Sequence, residues 1–403
     1  MILRVKDFAT KVGSGVTPRG GADVYLSEGI PFFRSQNITN EGLLLEDIVF
    51  ISEEINESMS ATKLYPGDVL LNITGASIGR CYYLPENFEN GNVNQHVCII
   101  RPNKNVMSSF LYYNLISKIG QNQIILSQNG ANREGLTKEN ICNFSFVIPS
   151  IEEQQAIADY LDKKTGEIDE QISLLDQKQK AYAKLKQSLI SEVVTRGLNK
   201  NVALKDSGIE WIGKIPTHWE VKRLKDYSNI IFGQSPNGSD ITEDGEIPFM
   251  QGKAEFSEKF PQSVLFCDNC VKHSRVGDIL MSIRAPIGNI NLSDKVYGIG
   301  RGLCSIKPIN ILQGYLWFYL MFSKPYIESL GTGSTFLAIT GTDLYTVNIL
   351  LPPIEEQKAI ADYLDMKTAE INENIALINQ KIKAYKRLKQ SLIDEVVTGK
   401  RKI

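Results

Sequence analysis

The chain has 403 residues, 42% apolar and 22% charged, and its 46 acids against 44 lysines and arginines leave a formal net charge of −2. That length supports more than one packed core, and no apolar run approaches the roughly 18 residues needed to cross a bilayer, so a cytoplasmic protein without a membrane partner is expected. The charge balance argues against a lysine-coated, stand-alone polyanion binder without excluding a DNA-facing surface, which must come from local segregation of charge or from partner subunits.

Residues 1–148 read as a first head. The N-terminal Met-Ile-Leu-Arg-Val-Lys-Asp lacks the apolar stretch of a signal peptide. Short β-branched runs broken by Gly, Pro and Asn predict twisted, mainly β sheets, and Phe110–Ile119 predicts a helix late in the head. Arg, Gln and Asn gather on glycine-rich loops, giving candidate DNA-contacting residues Thr17, Arg19, Arg34, Gln36, Asn37, Arg80, Asn94, Gln95, Asn129, Asn132 and Arg133. Such side chains can pair with guanine or adenine edges in the major groove.

Residues 149–200 predict one long helix. Pro149 stands just before it, and Glu152 and Glu153 place acid in the first turn, where the helix dipole favours it. Ile168, Ile172, Leu175, Gln179, Tyr182 and Leu189 fall at alternating steps of three and four, the spacing of a coiled-coil seam. Gln179 is the polar exception, a type of residue that fixes register between helices. Arg196-Gly-Leu-Asn-Lys-Asn then reads as a linker.

Residues 201–351 form a second head, weakly related to the first. Gly277-Asp-Ile-Leu-Met-Ser-Ile-Arg284 repeats the pattern of Gly67-Asp-Val-Leu-Leu-Asn-Ile-Thr74, Ile247-Pro-Phe249 matches Ile30-Pro-Phe32, and Cys304-Ser-Ile-Lys-Pro308 matches Cys98-Ile-Ile-Arg-Pro102. A helix is expected over Tyr315–Phe322. The loops differ where the frames agree, and offer Gln234, Ser235, Gln251, Lys253, Arg284, Arg301, Thr332, Ser334 and Thr335 as candidate DNA contacts. Both heads are therefore assigned to the α+β class.

Residues 352–403 repeat the long helix. Over 149–197 against 352–400, roughly 34 of 49 positions are identical. The second seam is Ile371, Ile375, Ile378, Ile382, Tyr385 and Leu392. Each copy begins acidic and ends basic, so a parallel pair would set like charges together and an antiparallel pair opposite ones. An antiparallel coiled coil is expected.

Other chemistry is sparse. Gly208-Ile-Glu-Trp-Ile-Gly213-Lys214 has phosphate-loop spacing, but Ile215 follows where a magnesium-ligating hydroxyl is required. Cys267, Cys270 and His273 lack a fourth ligand, so no metal is expected, and the six cysteines read as reduced thiols. Three histidines pair with no evident nucleophile and no glycine-rich cofactor loop follows a strand, so the chain is expected to be non-catalytic, without a cofactor of its own.

The duplicated Pro-x-Ile-Glu-Glu-Gln-x-Ala-Ile-Ala-Asp-Tyr-Leu-Asp segments, the repeated Leu-Lys-Gln-Ser-Leu-Ile runs, and Gly208-Ile-Glu-Trp-Ile-Gly-Lys-Ile-Pro-Thr-His-Trp219 closely resemble the specificity subunit of type I restriction-modification systems. The likeness covers essentially the whole chain. It implies two target recognition domains, each reading one half of a bipartite site in double-stranded DNA, on an antiparallel coiled coil that sets the gap. It also implies two modification subunits, which bring S-adenosylmethionine and adenine methylation, and two motor-nuclease subunits using ATP and Mg. Arg4-Val-Lys-Asp-Phe8 matches Arg223-Leu-Lys-Asp-Tyr227, so almost no leader is expected before the first head. A helix of about 44 residues would be about 66 Å long, placing the heads at opposite ends about an approximate two-fold axis. Different loops imply an asymmetric target. The rival reading is a coiled-coil scaffold without sequence-specific DNA binding.

Overall fold

A computed structural model describes residues 1–128, 135–333 and 337–403. The chain divides into two compact units, one made of Met1–Asp176 with Asn379–Ile403 and the other of Gln177–Ile378. Each unit holds one head and about half of each long helix, which run over Ile151–Arg196 and Ile354–Val397. Among the described residues no helix is long and apolar enough to cross a membrane.

In the first unit a four-stranded antiparallel sheet has the order Ala9–Ser14, Val97–Pro102, Val69–Asn72, Cys81–Tyr83. A three-stranded sheet sets Ile30–Phe33 between antiparallel Val49–Ile51 and parallel Asn92–Val93, and Ile2–Arg4 pairs with Ser145–Val147. The strand Val69–Asn72 is buried throughout, its polar Asn72 included, because the sheet is covered on both faces. Val69 and Leu71 point into the core shared with Phe110, Leu161 and Ile393, while Leu70 points into a second core with Phe33, Ile38 and Val93.

The second unit repeats this topology. Its four-stranded sheet runs Ser228–Phe232, Leu303–Pro308, Ile279–Ser282, Ile290–Leu292, and its three-stranded sheet sets Pro248–Met250 between Leu265–Phe266 and Gly298–Ile299. Ile279 and Met281 face the core shared with the long helices, and Leu280 faces the other. The hairpin of Leu204–Asp206 with Lys214–Pro216 is an addition.

The expected late helices are present with different bounds. In the second head the helix is longer, Gln313–Ser329. In the first it is broken into Ser108–Ile116 and Lys118–Leu126, because the Ser117 hydroxyl caps the second piece by accepting the Gly120 N–H at 3.3 Å.

Each unit joins early residues of one long helix to late residues of the other. In the first unit Ile157 and Leu161 share a core with Ile393, Val396 and Val397; in the second Ile190, Val193 and Val194 share one with Ile360 and Leu364. The pairing is antiparallel, as the charge polarity requires. Every expected seam residue is buried or half-buried. The inward stripe on the first helix also takes in Thr165 and Lys186, and their repeats Thr368 and Lys389. Gln179 is half-buried but makes no side-chain hydrogen bond among the described residues; the polar seam residues that bond across the helix pair are the two lysines.

One buried glutamine ties each long helix to its head. Gln154, fully buried, accepts the Met107 N–H at 2.9 Å and donates to the carbonyls of Asn105 and Pro149. Gln357 accepts the Leu312 N–H at 2.9 Å and donates to Pro352.

Candidate nucleic-acid interface

In each head several strand ends converge on one set of loops, and the same backbone hydrogen bonds hold them. Gly15 N–H donates to Val97 O and Val16 N–H to Val93 O; Gly233 N–H donates to Leu303 O and Gln234 N–H to Ile299 O. A Cβ on Gly15 would lie 2.1 Å from Val93 O, and one on Gly233 would lie 2.1 Å from Gly300 O. Both positions need glycine because two backbones approach too closely for a side chain. Asn94 N–H donates to Phe33 O as Gly300 N–H does to Met250 O, and Ile73 N–H donates to His96 O as Ile283 N–H does to Gly302 O.

These matched bonds pair the loop residues of the two heads. Thr17 corresponds to Ser235, Arg34 to Gln251, Gln36 to Lys253, Thr74 to Arg284 and Gln95 to Arg301. A common frame thus presents different side chains at matched places. Thr74 was absent from the expected set, although aligning Gly67–Gly79 with Gly277–Gly288 sets it against Arg284.

In the first head the Thr17 hydroxyl donates to the Gln95 amide oxygen, the Gln95 amide nitrogen lies 3.2 Å from His96 Nε2, and His96 Nδ1 lies 2.6 Å from the Thr74 hydroxyl. Four side chains from three loops form one polar string. Arg34 donates to Asp47 O at 2.7 Å with its guanidinium 6.0 Å from the Tyr25 ring, and Arg19, Gln36 and Arg80 are exposed. Two expected contacts turn inward instead. Asn37, 1% exposed, accepts the Arg34 N–H and donates to Leu44 O; Asn94, 8% exposed, accepts the His96 N–H. Their amides organise the loops. Asn129, Asn132 and Arg133 lie outside the described residues.

In the second head Gln234, Ser235, Gln251, Lys253, Arg284, Arg301 and Thr332 are all exposed, and their side chains make no hydrogen bond among the described residues. Ser334 and Thr335 lie outside the described residues. Arg284 forms an isolated bridge with Ala338, the counterpart of Thr74 with Gly135.

Gly208–Lys214 is the turn of the added hairpin, and Lys214 opens a strand, not a helix. Trp211 stacks on Tyr326 at 4.6 Å and Trp219 is fully buried, its indole donating to Glu356 at 2.9 Å, so the motif docks the hairpin. Cys267 and Cys270 are buried with Phe249, and burial pushes the Cys270 thiol up to about 12, the protonated form of a structural residue.

Comparison with known proteins fits this architecture. The sequence matches the type I restriction modification DNA specificity domain over residues 1–176 and 216–384. It is 30% identical to the putative type I restriction enzyme MjaX specificity subunit of Methanocaldococcus jannaschii, covering 99% of this chain and 93% of that one. Identity to the EcoKI specificity subunit of Escherichia coli K12 is 20%, over 92% of this chain and 82% of the other. A chain from a structure titled as the basis of complex assembly and conformational transition of the type I R-M system superposes with a TM-score of 0.80 at 25% identity, covering 98% and 97% of the two chains. The HsdS subunit of Thermoanaerobacter tengcongensis gives 0.55 at 25% identity, covering 99% and 96%. With two copies of the domain matched and a relative aligned from end to end, the chain belongs to the specificity subunits of type I restriction-modification enzymes.

Proposed function

We propose that each head reads one half of an asymmetric, bipartite DNA site and that the paired helices set the spacer between the readings. One observation carries this: the two heads share a backbone frame, down to the glycine at 15 and 233, yet differ at Thr17/Ser235, Arg34/Gln251, Gln36/Lys253, Thr74/Arg284 and Gln95/Arg301. A frame kept with its contents exchanged is what two readers of different sequences require. Arginine pairs with guanine O6 and N7, glutamine with adenine N6 and N7, so Arg284 and Arg301 favour guanine in the second half-site and Gln95 favours adenine in the first.

The chain supplies recognition and its partners supply chemistry: two modification subunits with S-adenosylmethionine methylate adenine, and two motor-nuclease subunits with ATP and Mg cleave. A net charge of −2 agrees with a subunit that binds DNA as part of a larger complex. The test is a methylome of cells carrying the modification subunit with either the native chain or the Arg301→Gln variant. The expected outcome is a change confined to the second half-site. An unchanged motif for this variant and for a replaced first head would favour the scaffold reading.

A further inference from the structure

The second unit contains a cleft of about 1070 Å³, bounded by the last turns of the helix Ile151–Arg196, the helix Gln313–Ser329 and the loop carrying Lys253. Its size is that of a small-molecule site. In the first unit the equivalent helix face is closed against its head: Gln390 donates to Ile116 O at 3.2 Å and Asp394 accepts the Lys118 N–H at 2.6 Å. The repeat places Gln187 and Ser191 at those positions, and both line the cleft.

Charge in the cleft is one-sided. Lys184, Lys186, Lys253 and Lys324 line it against the single carboxylate of Glu258. In the first unit the seam lysine Lys389 rests on Asp169; in the second, Lys186 meets the neutral amide of Asn372 at 2.8 Å, and that amide donates onward to Glu258. With an amide in place of the carboxylate, the ammonium group stands in a desolvated wall with no anion bonded to it, Glu258 acting on it only from beyond the Asn372 amide. Burial holds Lys186 below the ordinary lysine range, a cost that a bound anion would relieve. Phe256, Trp317 and Phe322 supply an aromatic wall beside the lysines.

We propose that this cleft binds a nucleotide, its base against the aromatic wall and its phosphates on the lysine ammonium groups. Several ammonium groups along one cleft suit a polyphosphate better than a single carboxylate, and the aromatic faces suit a planar ring. The cleft shares Lys253 with the loop positions compared above, but its other lysines and its aromatic wall lie outside them.

Isothermal titration of the full chain with ATP, and separately with inorganic tripolyphosphate, tests it. One ATP per chain is expected, with tripolyphosphate weaker. Asn372→Asp, which restores the carboxylate of the first unit, and the exposed-site variant Lys253→Ala should each weaken ATP by about tenfold, the loss of one charge-assisted contact. No ATP binding at millimolar concentration, or unchanged affinity in both variants, would overturn the proposal. So would displacement of ATP by short duplex DNA with parallel losses in both variants, because the lysines would then be a track for DNA phosphates.

Discussion

Lys389 reaches both carboxylate oxygens of Asp169, at 2.8 and 2.7 Å, from a position on the apolar seam of its helix. Lys186 on Asn372, at 2.8 Å, is the same contact in the other copy of the repeat, with an amide in place of the carboxylate. From 169 to 186 on the first helix, the bonded partner moves from 389 back to 372, the same number of residues in the opposite direction. A lysine on an apolar seam is stabilised only where its partner stands opposite, so the two pairs define the antiparallel register at a cost in stability.

Lys186→Met should raise the stability of the chain by about 1 kcal/mol, since the seam gains an apolar residue and loses a desolvated charge bonded only to an amide. The lysine's proton affinity is lowered by burial, so in the folded state its charge is disfavoured relative to the unfolded state. Its cost is therefore full at neutral pH and fades as the pH rises towards the ordinary lysine range. Urea unfolding at neutral and alkaline pH should show the advantage of the variant shrinking with pH; a constant difference would assign the gain to packing alone.

Arg101 holds the fully buried Asp68 with two hydrogen bonds, at 2.6 and 2.8 Å. Both heads also give this aspartate a backbone N–H at 2.9 Å, Tyr65 to Asp68 and Arg275 to Asp278, but in the second head the Ser305 hydroxyl, at 2.6 Å, replaces the arginine. Arg101→Met leaves a buried carboxylate with the Tyr65 N–H but without its counter-charge, and should cost about 2–4 kcal/mol at neutral pH. Lys307→Met, at the matching place on the second sheet, should cost under about 0.5 kcal/mol, as an exposed substitution. Chemical denaturation of the two variants checks the contrast.

Gln154→Ala and Gln357→Ala should each destabilise by about 1–3 kcal/mol, because each leaves a backbone N–H, of Met107 or Leu312, without its acceptor in a buried junction. Hydrogen exchange at Met107 or Leu312 should accelerate in the respective variant and stay unchanged in the other. Equal acceleration at both sites would show that the two junctions do not act locally.

Gly15→Ala and Gly233→Ala should each cost about 1–3 kcal/mol, since the added methyl meets a carbonyl oxygen that belongs to the opposing loop. The loops carrying Gln95 and Arg301 must shift to admit it. Thermal unfolding should show the loss, and Gly13→Ala, where a Cβ meets nothing within 4 Å, is the control expected to leave stability unchanged.

Much of this protein was legible along the chain. Two long helices, their seam and their antiparallel pairing followed from apolar spacing and charge polarity, because both are properties of one helix read residue by residue. The resemblance of the heads was likewise carried by short identical runs. Lys186 and Lys389 were missed because a seam defined by apolar residues omits a lysine, even though the three-and-four spacing passes through both.

The loops depended on contacts between distant residues. Asn37 and Gln36 are neighbours of similar composition, yet one is buried and the other exposed, because the turn folds Asn37 back onto Leu44. Asn94 turns inward while Gln95 joins Thr17, His96 and Thr74 only after strands ending at Ser14, Asn72 and Val93 have been brought together. Helix and seam are local periodicities that the sequence by itself determined; which side chains face outward is set by long-range strand pairing, and that only the tertiary structure decided.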